Sequence, residues 1–302
     1  MGSSPPPTSG LPFVGPTFMP PPPPLGASIP IPQNKPPLAV LLKNGGKYPP
    51  EFQAQLQKPN STILSQIRGR IVELCDDNTV IKSGSDIQTD EINALRVARE
   101  LQLPVPEVYE AHPLPIMGAS IHMSYIPGET LEVAWPTMSP DQKQGIALQL
   151  RAIVDKMRSL SSDDNAFRSC GGGMIRDMRS YTTYAGGPFL DEQSFNDFVM
   201  DIAKSTPKVI REGLRARLRC DHRVVLTHGD LTPRNIIVQD NKITGLIDWE
   251  IAGWFPEYWE YVKFFHRPCI HKDWFDYALD IFSEPYIEDL INYEGIHRWL
   301  RP

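Results

Sequence analysis

The spacing of apolar residues along the chain switches between period two and helical period, and each switch marks an element. RGRIVELC (68–75) and NTVIKS (78–83) alternate as the arms of a β-hairpin. CDDN (75–78) is its turn, because Asp77 and Asn78 suit a tight reversal. TDEINALRVARELQ (89–102) sets Ile92, Leu95, Val97 and Leu101 at roughly helical spacing, starts at a Thr/Asp cap, and stops before LPVP, which cannot continue a helix. PEVYEAH (106–112) and ASIHMSYI (119–126) predict a further strand pair, so residues 62–126 read as a small sheet carrying one helix.

Helical period dominates after that. SPDQKQGIALQLRAIVDKMRSL (139–160) opens with Ser139 as cap and Pro140 in the first turn. Ile146, Leu150, Ile153, Val154 and Met157 form one apolar stripe, which is core rather than function. CGGGMIRDMRSYTTYAGGPF (170–189) reads as a Gly-rich loop, and DEQSFNDFVMDIAKS (191–205) and TPKVIREGLRARLRC (206–220) read as helices. The β-branched runs VVL (224–226), NIIV (235–238) and ITGLI (243–247) then alternate with polar turns as three strands, and two or three helices follow up to residue 300.

Composition changes this picture mainly at the N-terminus. Residues 1–37 carry PPP (5–7) and PPPPP (20–24), which lack backbone donors and favour polyproline II, so a disordered tail is predicted, with residues 38–61 as a linker holding one short helix at EFQAQLQ. FMPPPPPL (18–25) has the composition that a proline-recognition domain binds, although a plain flexible tail is the better reading. With 302 residues and 41% apolar content, the rest has ample material for a packed core. The net charge of -6 is spread along the chain without a basic stripe, which argues against nucleic acid or an anionic membrane as partner and for a small molecule or a protein. There is no signal-peptide pattern, and LAVLL (38–42) is too short to span a bilayer, so a cytoplasmic location is expected. Cys75, Cys170, Cys220 and Cys269 lie far apart without a CxxC pair, as expected of reduced thiols rather than a zinc site or a disulfide framework.

The candidate chemistry is concentrated in LTHGDLTPRNIIVQDNKITGLIDWE (226–250), where the strand pattern places His228, Asp230, Asn235 and Asp248 at strand ends. The offset from Asp230 to Asn235 is the one used where a loop carries a base and, one short turn later, a metal-binding amide. Asp248 supplies a second oxygen ligand, and such a set suits Mg²⁺ shared with substrate phosphates. Upstream, Lys82 closes the strand NTVIK and Glu91 lies in the first turn of the next helix, so an ion pair between them aims the lysine at phosphate oxygens.

HGDLTPRN, GLIDWEIAGWFPEYWEY and MSYIPGETL resemble the aminoglycoside phosphotransferase and choline kinase group, most closely its fungal branch, from about residue 62 to the C-terminus. The resemblance implies an α+β, bilobal protein-kinase-like fold. Residues 62–126 would form an N-lobe built on a small antiparallel sheet with one helix, and residues 127–302 a larger, mainly helical C-lobe. It implies ATP and Mg²⁺ as cofactors, Asp230 as catalytic base, Asn235 and Asp248 as metal ligands, Lys82 and Glu91 as the phosphate-orienting pair, and the segment Met123, Ser124, Tyr125 and Ile126 as the hinge that takes adenine. His228 would brace the catalytic loop. The chain departs from protein kinases in having only Gly69 before RIVELCDDNTVIK, DWE in place of DFG, and no APE motif, which favours a small hydroxylated acceptor over a protein substrate.

Taken singly, each acid or amide here is a turn-capping residue, Lys82 a solvated strand residue and Glu91 a helix N-terminal acid; their joint spacing carries the functional reading. The expected function is Mg²⁺-dependent transfer of the ATP γ-phosphate to a small-molecule hydroxyl, with Glu129, Asp191 or Asp197 available to meet a cationic acceptor. The rival is a catalytically weak, kinase-like binding protein acting through the proline-rich arm. A metal-dependent hydrolase built on His228, Asp230 and Asp248 lacks the further histidines such a site needs. The glycines at 45–46 and 171–173 are not followed by GK[ST], which excludes a P-loop, and Trp249, Trp254 and Trp259 are core or pocket wall.

Overall fold

Strands β1 (Thr62–Ile67), β2 (Arg70–Leu74) and β3 (Thr79–Gly84) run on as consecutive antiparallel hairpins in the structure, a computed structural model that describes residues 61–67, 69–114, 118–162, 164–179, 182–203 and 205–300. The tail at 1–37, the segment FMPPPPPL and the short helix at EFQAQLQ lie outside the described residues. The turn at CDDN forms as expected. Cys75 donates to the Thr79 carbonyl (2.9 Å), Asn78 sits at φ 57°, and Asp77 accepts from the Thr79 N–H (3.2 Å). β1 was not legible because its side chains are almost all exposed, so no alternation betrays an edge strand.

Helix α1 (Asp90–Glu100) follows, with Glu91, Ala94, Leu95 and Ala98 buried at i, i+3, i+4 and i+7. The expected Thr/Asp cap is not made: Thr89 occupies the cap position without a side-chain bond, and Asp90 accepts from Asn93 Nδ2 instead (3.2 Å). Strands β4 (Val108–Pro113) and β5 (Ala119–Ser124) complete a five-stranded sheet in the order β1-β2-β3-β5-β4, in which Lys82 stands opposite Val72 and Ile121. Val80, Ile87, Ala119, Ile121 and Met123 form a small core on this sheet.

Beyond the sheet come β6 (Glu129–Thr130), α2 (Leu131–Ala134) and the long helix α3 (Pro140–Arg158). Ser139 and Gln142 cap α3 reciprocally, and the expected stripe from Ile146 to Met157 is buried. There follow β7 (Arg168–Ser169), β8 (Ile175–Arg179), β9 (Thr182–Gly186), α4 (Glu192–Met200), α5 (Lys208–Arg215), β10 (Val224–Thr227), β11 (Ile236–Gln239), β12 (Lys242–Leu246), β13 (Gly253–Pro256), α6 (Trp259–His266), α7 (Ala278–Ile281) and α8 (Ile287–His297). Small sheets β10-β13-β7 and β12-β11-β6 carry the polar turns on which the candidate site stands. The segment 170–189 is a β-hairpin, β8 on β9, rather than a loop. Its pattern misleads because the inward positions of β8 are Ile175, Asp177 and Arg179: two of the three buried side chains are charged. Asp177 is paired there with Arg179 Nε (2.6 Å) and Lys263 Nζ (2.7 Å).

The main core runs from α1 to α8 and includes Trp249, Trp254 and Trp259, as expected of wall residues. All four cysteines are free. Among the described residues, no helix is long and apolar enough to cross a membrane.

A buried histidine ties the end of the helical region together. His222 Nδ1 meets Glu192 Oε1 at 2.6 Å, and Asp289 lies 3.6 Å from its other nitrogen. Burial opposes its charge, but Asp289 and Glu192 outweigh that and raise its pKa to about 9. A raised folded-state value stabilises fully below the unfolded value of about 6.5 and is lost as pH climbs through about 9. Thermal melts should therefore show stability falling between those limits, and His222→Gln should flatten that slope; an unchanged slope in the variant would exclude this role.

Candidate active site

Lys82, the fourth residue of β3, points from the sheet toward α1, where Glu91 lies on the core-facing stripe. Its ammonium is 2.9 and 2.8 Å from the two Glu91 carboxylate oxygens and 2.7 Å from Asp248 Oδ1. Glu91 is 2% exposed and lies in the first turn of α1, so it is both a helix N-terminal acid and the buried partner of Lys82. Burial opposes the charge on Lys82, but Glu91 and then Asp248 overcome it and raise the pKa. Burial likewise opposes ionisation of Asp248, yet Lys82 and, further off, Arg70 hold its carboxyl down at about 2.

Asp248 adopts φ 65°, a left-handed conformation that Asp tolerates better than most residues. The residues on either side hold it there. Ile247 donates its N–H to the Asn235 carbonyl (2.9 Å), and the buried Trp249 indole donates to the Leu246 carbonyl (3.0 Å). Glu250, the last residue of DWE, is bound through both oxygens by Arg70 on β2 (3.2 and 2.8 Å), joining the sheet to the segment after β12.

The loop between β10 and β11 carries the other residues. Gly229 takes φ 79°, and a Cβ there would approach Ile251 to 3.3 Å. His228 is fully buried: its Nδ1 accepts from the Asp230 N–H (3.1 Å), and its Nε2–H donates to the Ile247 carbonyl (3.0 Å). Burial lowers its pKa to about 4, so it is neutral and braces the loop, packed edge-on against Trp249. Asn235 ends a 3₁₀ turn and donates from Nδ2 to the Asp230 carbonyl (3.0 Å), which leaves its amide oxygen as the end available to a cation.

Three residues that the sequence reading passed over hold this loop. Glu260 on α6 accepts the backbone N–H groups of His228 (2.5 Å) and Gly229 (2.9 Å). Burial pushes its carboxyl up to about 7 against those two donors. Arg267 Nε donates to the Gly229 carbonyl (2.9 Å) and lies 3.3 Å from Asp230 Oδ1. Arg234 Nη2 donates to both Asp230 oxygens (3.0 and 2.8 Å). Arg234 had a local signal, since it sits four residues after Asp230 within HGDLTPRN; Glu260, 30 residues on, and Arg267, 37 residues on, had nothing in their own surroundings to tie them to this loop.

The segment expected to be the hinge ends β5, an interior strand between β3 and β4, and leads on toward β6. Met123 is buried in the small core, the Ser124 N–H donates to the Glu107 carbonyl (2.8 Å), and the Tyr125 N–H to that of Asn78 (3.3 Å). Ile126 reaches β12, where Gly245 makes room for it: a Cβ there would lie 2.7 Å from Ile126 Cδ1. The three acids named as available to a cationic acceptor have these surroundings. Asp191 caps α4 (2.7 Å to the Ser194 N–H), Asp197 pairs with Arg215, and Glu129 is opposite Val238 in the β6-β11 ladder.

A model of the phosphotransferase enzyme family matches residues 86–299, which is more than half of the chain and includes every loop residue described above. The chain belongs to this phosphotransferase family. No curated protein sequence matches the phosphotransferase significantly. Among solved structures, its fold is similar to a thermostable mutant of aminoglycoside phosphotransferase APH(4)-Ia in ternary complex with ADP and hygromycin B (TM-score 0.58, 14% identity, 82% of this chain and 88% of that one). It is also similar to APH(2")-IIa in its ternary complex with streptomycin and ATP (TM-score 0.52, 15% identity, 82% and 86%). At such identities the likeness is one of fold, and it establishes the bilobal kinase-like architecture for the sheet and the helical region of this phosphotransferase.

The two backbone N–H groups on Glu260 make the loop's geometry depend on α6. Glu260→Gln keeps the volume but turns one acceptor into a donor facing an N–H, at a cost of about 1–3 kcal/mol. Melting should shift down accordingly, and the amides of His228 and Gly229 should exchange faster; unchanged protection of both would remove Glu260 from this role.

Proposed function

We propose that this phosphotransferase moves the γ-phosphoryl group of ATP to a hydroxyl of a small molecule, with Mg²⁺. The observation that carries the reading is the convergence of Glu91 and Asp248 on the buried ammonium of Lys82, next to a loop that presents Asp230 and Asn235. The similar solved structures bind ATP, ADP or GDP together with aminoglycosides, which supports a nucleotide at the corresponding cleft.

The donor set fits a hard cation. Asp248 is kept ionised, and Asn235 commits its amide nitrogen internally and so offers oxygen. These two residues would hold Mg²⁺, which supplies charge neutralisation for the phosphate oxygens when bound. Lys82, fixed by Glu91, would sit on the same phosphates as a point charge. Adenine would take the Ser124 carbonyl and the Ile126 N–H, because the N–H groups of Ser124 and Tyr125 are engaged by neighbouring strands. Asp230 would orient the acceptor hydroxyl and receive its proton as the new O–P bond forms and ADP leaves. His228, neutral and doubly bonded to backbone, holds the loop and transfers no proton.

The test is ADP release with Mg²⁺-ATP across a panel of hydroxylated acceptors, beside nucleotide-dependent thermal shifts with ATP and GTP. Asp230→Asn should lower turnover by about 10²- to 10⁴-fold while leaving the ATP-induced shift in place. Asp248→Ala should lose the metal-dependent part of the shift. Normal turnover in the first variant, or an undiminished metal-dependent shift in the second, would overturn the assignment of that residue.

A further inference from the structure

Asp230 is held by two guanidiniums of unlike character. Arg267 is 3% exposed, and its Nε is committed to the Gly229 carbonyl (2.9 Å) as well as lying near Asp230 Oδ1 (3.3 Å). It is part of the frame. The Arg234 side chain is 37% exposed, and besides its bonds to Asp230 it donates to the Pro268 carbonyl (3.1 Å). Two guanidiniums on one carboxylate carry one positive charge more than it neutralises, and the surplus sits on the more exposed side chain. The oxygens also differ. Oδ1 faces Arg234, Arg267 and, at 3.5 Å, Thr232 Oγ1, whereas Oδ2 has Arg234, at 2.8 Å, as its one hydrogen-bond partner among the described residues. If Arg234 turns away, Oδ2 is the oxygen set free, while Arg267 still neutralises the carboxylate.

We propose that Arg234 is a catalytic residue that leaves Asp230 for the γ-phosphoryl group when the nucleotide triphosphate binds, which frees Asp230 Oδ2 to receive the acceptor proton only once phosphate is in place. This rests on the nucleotide reading above. A base that touches the acceptor hydroxyl stands next to the phosphoryl group being transferred, so a guanidinium already on that base has only a short swing to make. Its planar fork matches phosphoryl oxygens in pairs, which an ammonium does not. The transfer balances without a further reactant. The acceptor oxygen bonds to phosphorus, the bond from phosphorus to the bridging oxygen breaks with its electron pair leaving on ADP, the acceptor proton goes to Asp230 Oδ2, and Arg234 keeps its protons throughout.

The experiment compares dissociation constants for Mg²⁺-ADP and for the Mg²⁺ complex of the β,γ-imido analogue of ATP, in wild type, Arg234→Ala and Arg234→Lys. Arg234→Ala should weaken the triphosphate analogue by roughly 10- to 100-fold and leave ADP within about twofold, as for loss of a charge-assisted bond to the γ-phosphate alone. Arg234→Lys should recover part of the loss, and free guanidinium ion should restore affinity to the Ala variant. Equal weakening of both nucleotides would assign Arg234 to loop structure and overturn the proposal, as would no change in either. Binding of neither nucleotide by the wild type would overturn the nucleotide reading itself, a failure visible before any variant is compared.

Discussion

The ammonium of Lys82 is bound at 2.7 to 2.9 Å by carboxylates from two other parts of the chain, Glu91 on α1 and Asp248 after β12. Much else depends on it. The contact fixes the helix against the sheet and the sheet against the segment after β12, joining residues 166 apart in sequence. Burying such charges costs several kcal/mol per ion before pairing returns any of it, so hydrophobic residues of similar size would serve stability at least as well. A buried cation with two carboxylates is therefore better explained by what it presents to a ligand than by what it adds to the fold. A second tie runs parallel to it, from Arg70 on β2 to Glu250. Two ion bridges from the sheet thus flank Trp249, whose indole packs against His228.

The candidate catalytic loop is placed by groups that are not themselves reactive. Glu260 takes two N–H groups of the turn, Arg267 takes a carbonyl, neutral His228 bridges Asp230 to Ile247, and Asn235 closes back on Asp230. Each polar backbone group satisfied this way is one that a buried turn could not leave bare. The result is a rigid support in which the exposed Arg234 is the exception. Stiffness around the base and freedom at one cation beside it are complementary requirements for a site that must be preorganised yet admit a charged ligand.

A similar economy appears further away, where Asp177 is enclosed with Lys263 and Arg179 and so anchors the β8-β9 hairpin on α6, the helix that also carries Glu260. Lys263 and Glu260 lie three residues apart on that helix. α6 therefore links the hairpin to the candidate catalytic loop through charged contacts, Lys263 to Asp177 and Glu260 to the loop N–H groups, in addition to its apolar packing.

Local pattern was enough for the elements that obey it: the β2-β3 hairpin with its Asp77 and Asn78 turn, the capped helix α3 and the three strands around the loop; it also singled out Lys82, Glu91, Asp230, Asn235 and Asp248 as candidates, which the fold brings into one region. It misread the β8-β9 hairpin and passed over β1, because buried charges on one and exposed side chains on the other erase the period-two signal. The partners of the loop were invisible for a different reason. Glu260 and Arg267 lie 31 to 38 residues from the loop groups they bind, and only the packing of α6 and its C-cap against the loop brings a carboxylate and a guanidinium to it. Residue spacing determines which chemistry is available; long-range burial decides which charges meet, because a paired charge inside the protein is affordable only where the fold delivers its partner.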